Sequence, residues 1–322
     1  MKKIEPSEYT TVLQGVRRAD KGPYYLFYSS LWDGYVTDPA LMQVPFDDHL
    51  THRGDGVFET LKCVAGAVYN PEAHLRRLQR SAYQVGLLFP QGRDGIRARM
   101  LEALTAAAQP DCSVRLVLSR GPGGMGVSPK ECTTAALYIC VYGAGHPFME
   151  SHPSGATLGR SRIAAKDPLF ATAKTCNYLP NVLMKAEAEA LGVDFMLGID
   201  RSGHITEGAT ENVGIVSKSG RLVFPALDTV LAGTTMLRVS EMAQQLTADG
   251  RLKGCGFRPI REEELYDARE ILIVGTTLNV VSVTEYNGRH IGDGTPGPVG
   301  QALDAMLLRD TLENPRLRVR YM

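Results

Sequence analysis

The sequence predicts a mixed α/β (α+β) protein of two domains, and three observations carry that expectation. Apolar segments of strand length are interleaved with segments that repeat at helical spacing, without strict strand–helix–strand alternation. A stretch rich in Gly, Pro, His and Ser, GAGHPFMESHPSG at 143–155, falls near the middle of the chain. The 322 residues suit two domains at roughly 100–200 residues each. The expected division is an N-terminal domain over 1–145, a linker over 146–154 and a C-terminal domain over 155–322.

In the first domain, residues 56–64 and 67–69 read as strands around a turn at Ala65-Gly66. A helix follows. Asn70 can cap it, Pro71 suits its first position, and Leu75, Leu78, Ala82 and Val85 share one face before Gly86 ends it. A second helix is expected over 97–107, then strands over 113–119 and 136–142. In the second domain, strands are expected at 156–162, 195–199, 205–207, 212–216, 222–224 and 270–274. Helices are expected at 180–191, closed by Gly192, and at 235–246, with Val239, Met242, Ala243 and Leu246 on one face.

Composition narrows the partners. Lys plus Arg and Asp plus Glu are 35 each, so the chain has no overall basic footprint for nucleic acid. No apolar run approaches the roughly 18 residues that cross a membrane. The opening MKKIEP lacks the apolar core of a secretory leader. Six scattered cysteines contain no C-x-x-C pair, which argues against a metal site or a disulfide framework. The expectation is a reduced, cytoplasmic protein acting on small molecules, with no metal, nucleic acid or membrane.

Several residues could carry chemistry. The loop GPGGMG at 121–126 matches G-x-G-x-x-G after a strand, but a dinucleotide site needs a helix directly behind the glycines, and Pro129 argues against one. Gly233-Thr234-Thr235 stands just before a helix, where free N–H groups and hydroxyls favour a phosphate. Gly275-Thr276-Thr277 ends a strand and offers a second donor set. Arg77, at the edge of an apolar helix face, could add a forked contact. Each also has an ordinary reading, since threonines cap helices and arginines sit in water. A nucleophilic lysine needs partial burial or a nearby cation. Lys174 lies among small and apolar neighbours in LFATAKTCNYLPN, whereas Lys166, in AAKDP, reads as more exposed. Glu207 ends an apolar-flanked strand, where a carboxylate could face a protonated ring nitrogen.

Taken together, six segments in order resemble the class IV (fold-type IV) pyridoxal-phosphate enzymes. They are HRGDGVFETLK (52–62), HLRRLQRSA (74–82), AKTCNYLPNVLMKAEAEALG (173–192), GHITEGATENVGIV (203–216), VLAGTT (230–235) and ILIVGTT (271–277). Among that family, DDHLTHRGDGVFET, NYLPN and PALDTVLAGTT are most like the plant plastid-type D-amino acid transaminases.

The resemblance implies a two-domain fold with pyridoxal 5′-phosphate between the domains, and a homodimer. It makes Lys174 the Schiff-base lysine and the base at the substrate Cα, and Glu207 the carboxylate on the pyridine nitrogen. Tyr178 matches the tyrosine near the phenolic oxygen, and Asn212 a support for Glu207. Arg77, Thr234, Thr235, Gly275 and Thr276 match phosphate contacts, with Met236 replacing the arginine of the family's phosphate turn. The turn at Thr277 helps to seat the substrate carboxylate.

Departures bear on the substrate. Phe58 and Met125 stand where bacterial D-amino acid enzymes have a tyrosine and an arginine. Met125 and Val127 also break the loop pattern of aminodeoxychorismate lyases. MGVSP (125–129) is close to the loop of branched-chain enzymes, and Arg115 aligns with an arginine that recognises substrate there. The implied function is amino transfer between a small amino acid, D or branched-chain, and a 2-keto acid, with 4-amino-4-deoxychorismate lyase as the alternative.

Overall fold

The computed structural model describes residues 1–16 and 23–322, and its contacts divide the chain into two units. The first comprises Met1–Ala144 together with Leu317–Met322; the second is Gly145–Arg316.

The first unit is built on β1 (Tyr24–Ser29), β2 (Gly34–Val36), β3 (Gly56–Val64), β4 (Ala67–Tyr69), β5 (Cys112–Ser119) and β6 (Ala136–Gly143). They pair in the order β4-β3-β5-β6-β1-β2, all antiparallel. Ala65 and Gly66 both take positive φ in the turn that joins β3 to β4, the conformation a two-residue hairpin requires. Helices α1 (Pro71–Gln84) and α2 (Gly92–Ala107) cover one face. Leu75, Leu78 and Ala82 of α1 are fully buried against Leu61, Val114, Leu116 and Ile139 of the sheet, with Met100 and Leu104 of α2. That periodic burial is why α1 forms: its apolar stripe stabilises the fold only when it faces the sheet.

The second unit carries β7 (Ala156–Arg160), β8 (Phe195–Leu197), β9 (Asn212–Val216), β10 (Leu222–Phe224), β11 (Cys255–Phe257), β12 (Glu270–Gly275), β13 (Asn279–Tyr286) and β14 (Arg289–His290). The main path is β11-β10-β9-β12-β13-β7-β8, with β14 beside β13. It is mixed: β10–β11, β13–β7 and β7–β8 are parallel, the others antiparallel. All five residues of the central β9 are buried, as expected for a strand covered on both faces. Helices α3 (Leu179–Leu191), α4 (Thr234–Ala248) and α5 (Pro298–Glu313) pack on this sheet: α3 on β8, α4 on β11 and β12, and α5 on β12 and β13.

Two expected boundaries change. The linker 146–154 belongs to the second unit and holds a helical turn, Phe148–Ser151, whose Phe148 ring packs 5.0 Å from that of Phe195. The last six residues do not stay with the C-terminal domain. Arg318–Arg320 form an antiparallel strand on β4, and the Tyr321 hydroxyl donates to the Gln109 carbonyl at 2.7 Å. An unpaired edge of the first sheet is thereby satisfied from the far end of the chain. The expected strand at 205–207 is reduced to two isolated bridges, Ile199–Ile205 and Glu207–Asn212.

Candidate active site

Within the second unit, one pocket gathers Lys166, Lys174, Tyr178, Asn181, Glu207, Glu211 and Asn212. The segment before α3 presents the amines. Asp167 accepts from the Leu169 N–H and starts the turn Pro168–Ala171, and Ala171 and Ala173 are buried, which holds Lys174 half-buried at the pocket wall. Its Nζ donates to the Tyr178 hydroxyl at 3.3 Å.

Glu207 is fixed from its carboxylate backwards. The Leu231 N–H donates to its Oε2 at 3.1 Å, and Asn212 Nδ2 donates to the Leu231 carbonyl at 2.9 Å. Asn212 therefore supports Glu207 through the backbone of Leu231, while its own backbone bridges to Glu207. Burial pushes the Glu207 carboxyl above its ordinary value; Lys166, the Leu231 N–H and Lys174 pull it back, and Glu211 adds to the rise. Burial pushes the Lys166 ammonium down, with Glu207 opposing. Glu211 is also pushed up by burial, against hydrogen bonds from Thr210.

The same strands place two donor sets. Gly233 is the N-cap of α4 and lacks a side-chain cap, so the first N–H groups of a 15-residue helix start at Thr234 and Thr235. A Cβ on Gly233 would stand 1.9 Å from Asn212 Oδ1, so this turn closes on β9 only as glycine. Met236, at the arginine position of the resemblance, is fully buried in the core and offers no cation. Gly275 ends β12 one residue past the Val274–Asn212 pair, and a Cβ there would lie 3.8 Å from Glu211. Gly275, Thr276 and the exposed Thr277 thus turn beside the pocket's Glu211 and Asn212. A half-buried amine, a neighbouring hydroxyl, a desolvated carboxylate and an uncapped helix start match the aldehyde, phenolic oxygen, ring nitrogen and phosphate of pyridoxal 5′-phosphate. The residues present fit that group.

The remaining expected residues lie in the first unit. Arg77 is buried and forked onto Glu59, Nε to Oε1 and Nη2 to Oε2, both at 2.7 Å; His74 Nδ1 is 2.6 Å from Glu59 Oε2. Burial alone would raise the Glu59 carboxyl, but the charges and hydrogen bonds of Arg77 and His74 bring it down to about 2. Arg115 lies over the rings of Phe58 (5.3 Å) and Tyr142 (5.9 Å), with Nε donating to Thr60 Oγ1 at 3.3 Å. Met125 is exposed, and its carbonyl accepts from Arg53.

The glycine loop has no dinucleotide helix behind it; only a three-residue turn, Pro129–Glu131, follows. Its glycines serve close packing. Glu131 accepts from the Gly126 N–H at 2.9 Å, and a Cβ on Gly124 or Gly126 would strike the Glu131 carboxylate.

Sequence reasoning misplaced one residue and omitted three. Lys166 is half-buried and faces Glu207 across the pocket, because Asp167 is turned into its own cap. Glu211 and Asn181 also line the pocket, and Glu59 anchors Arg77. The short spacing between Glu207 and Glu211 across ATEN was the available signal for Glu211.

Comparison with known proteins identifies the family and the fold. The profile of the family described as Amino-transferase class IV matches residues 56–286. The chloroplastic D-amino-acid transaminase of Arabidopsis thaliana is 36% identical over 293 residues, covering 91% of this chain and 78% of the relative. A putative branched-chain-amino-acid aminotransferase of Methanocaldococcus jannaschii is 29% identical, covering 84% and 92%. In fold, a T.th. branched-chain amino acid aminotransferase with pyridoxamine 5′-phosphate superposes with a TM-score of 0.85 at 23% identity, covering 94% of this chain and all of that one. A Mycobacterium tuberculosis aminotransferase in its PLP-bound form gives 0.75 at 26% identity, covering 90% and 99%. The chain belongs to the amino-transferase class IV family: it is an aminotransferase, an enzyme that exchanges amino groups between amino acids and keto acids.

Proposed function

We propose that this aminotransferase uses pyridoxal 5′-phosphate to move the amino group of a small D-amino acid to a 2-keto acid. The observation that carries the cofactor assignment is the pocket in which the Lys174 amine stands 3.3 Å from the Tyr178 hydroxyl, with Glu207 lining the same pocket. The D-amino acid assignment rests on the Arabidopsis relative.

When bound, the cofactor supplies an aldehyde for the amino group and an electron-withdrawing ring. Lys174 would hold that aldehyde, and its freed Nζ would take the proton from the donor's Cα and deliver it back during the exchange. Tyr178 orients Nζ. Glu207 would hold the proton on the ring nitrogen, and Asn212 keeps Glu207 aimed by fixing Leu231. The N–H groups at Thr234 and Thr235 and the Gly275–Thr276 turn would hold the phosphate, and Thr277 would help to seat the substrate carboxylate. Arg77, Phe58, Arg115 and Met125 enter this reading through the family resemblance alone. The proposal extends to a cytoplasmic homodimer. Its support is the exposed apolar run Leu179, Val182 and Leu183 on α3, together with the six scattered cysteines.

The test is pyruvate release from D-alanine with 2-oxoglutarate as acceptor, beside L-leucine in the same assay. Turnover of D-alanine that vanishes in Lys174→Ala is expected. Turnover of L-leucine alone would overturn the stereochemical half, and pyruvate from aminodeoxychorismate without an acceptor would indicate the lyase. Full activity in Lys174→Ala would overturn the assignment of the base.

A further inference from the structure

The pocket contains a second amine. Lys166 Nζ lies 5.2 Å from the centroid of the Tyr178 ring, and Lys174 Nζ lies 5.8 Å from the same centroid. Two lysines eight residues apart thus reach one tyrosine, because the turn Pro168–Ala171 folds the segment between them back on itself. The neighbouring anion, Asp167, is turned to the Leu169 N–H, and the carboxylate that shares the pocket with Lys166 and acts on its charge is Glu207.

Glu207 needs such a partner. Its hydrogen bond comes from one backbone N–H, that of Leu231. A desolvated carboxylate with so little donation tends to take up a proton, and a facing cation opposes that tendency. Among the described residues, the charged groups facing Glu207 are Lys166, Lys174 and Glu211. Glu211 works against ionisation. Lys174 is committed to the cofactor's aldehyde under the function proposed above. Among the described residues Lys166 is the cation left, and Glu207 and the Tyr178 ring are the groups that face it.

We infer that Lys166 is a positioning residue for Glu207: its ammonium, held in the same pocket, favours the ionised carboxylate that the ring nitrogen of an incoming cofactor requires. The inference rests on the pyridoxal-phosphate reading but acts on a group of the protein alone. It is therefore testable without the cofactor.

The experiment is a carboxyl ¹³C NMR titration of the full chain freed of cofactor, with the Glu207 signal assigned by its loss in Glu207→Gln. Lys166→Met should move the Glu207 titration upward by about one pH unit, a tenfold fall in the ionised fraction on the acid side of the transition. Lys166→Arg should restore it. Lys166→Gln serves as the second neutral variant if Lys166→Met does not fold. A merely structural lysine would leave the titration unmoved in all folded variants, and that result overturns the inference. Failure of the wild-type protein to bind pyridoxal 5′-phosphate would overturn the function instead and leave this titration standing.

Discussion

Arg77 presents two parallel donors to Glu59, each at 2.7 Å, inside a unit where Glu59 itself has no solvent exposure. The pair ties α1 to β3, and His74, one helical turn before Arg77, closes the cluster. Removing Glu59 would take both of these charge-assisted hydrogen bonds from the buried Arg77 guanidinium. Glu59→Ala should lower unfolding stability by about 3–5 kcal/mol, the usual range for breaking a buried ion pair. Urea unfolding measures it, and a loss below about 1 kcal/mol would contradict the account.

The same cluster sets a pH dependence. The folded-state carboxyl of Glu59 is held at about 2, below its ordinary 4.5. A depressed carboxylate contributes stability that is fully present above its unfolded value and is lost as pH falls through the folded one. The contribution, about 3 kcal/mol from the linkage relation, should disappear between about pH 5 and pH 2. The stability difference between wild type and Glu59→Gln, measured in urea at several pH values, should shrink across that window.

Gly233 is where α4 meets Asn212. Gly233→Ala would push Asn212 Oδ1 away and with it the bond from Asn212 to Leu231 that aims Glu207. Binding of pyridoxal 5′-phosphate, followed by its visible absorbance, should weaken about tenfold, as expected for one lost hydrogen bond to a charged group.

Met236 tests the phosphate turn from the other side. Its side chain is fully buried. Met236→Arg should therefore not add a phosphate contact but bury an unpaired charge, lowering stability by several kcal/mol. A variant with wild-type melting temperature and tighter cofactor binding would refute this placement.

The proposed homodimer predicts that Val182→Glu, which places a charge in the exposed run on α3, shifts the protein to monomer in sedimentation velocity at micromolar concentration. An unchanged sedimentation coefficient would remove α3 from the interface.

What the sequence made legible follows pattern strength. The hairpin at Ala65-Gly66 and the amphipathic α1 carry strong local signals, and both stand close to where the residues put them. Helix α2 begins at Gly92, five residues before its expected start. Its glycine-rich first turn, GRDG, has poor propensity, which packing of Ile96 and Met100 overrides. Helix α5 escaped notice because Gly300 and the exposed Leu308 and Leu312 blur its stripe, although Val299, Leu303, Leu307 and Thr311 recur every four residues on the buried face.

In the pocket, Lys174, Tyr178, Glu207 and Asn212 were legible through the order of the motifs, and the structure brings these four together. Lys166 was not. Its polar neighbours Asp167 and Pro168 read as surface, and only the three-dimensional turn shows that Asp167 caps its own backbone while Lys166 faces inward. The C-terminal strand was misassigned for a related reason: pairing of Arg318–Arg320 with β4 is a contact across some 250 residues that no local window contains.

The most direct test of the central claim is to reduce the cofactor-loaded protein with borohydride, digest it and locate the added mass. The account predicts the pyridoxyl phosphate group on the peptide bearing Lys174, with that adduct absent from Lys174→Ala. A group found on Lys166 in the wild-type protein, or on neither lysine, would contradict it.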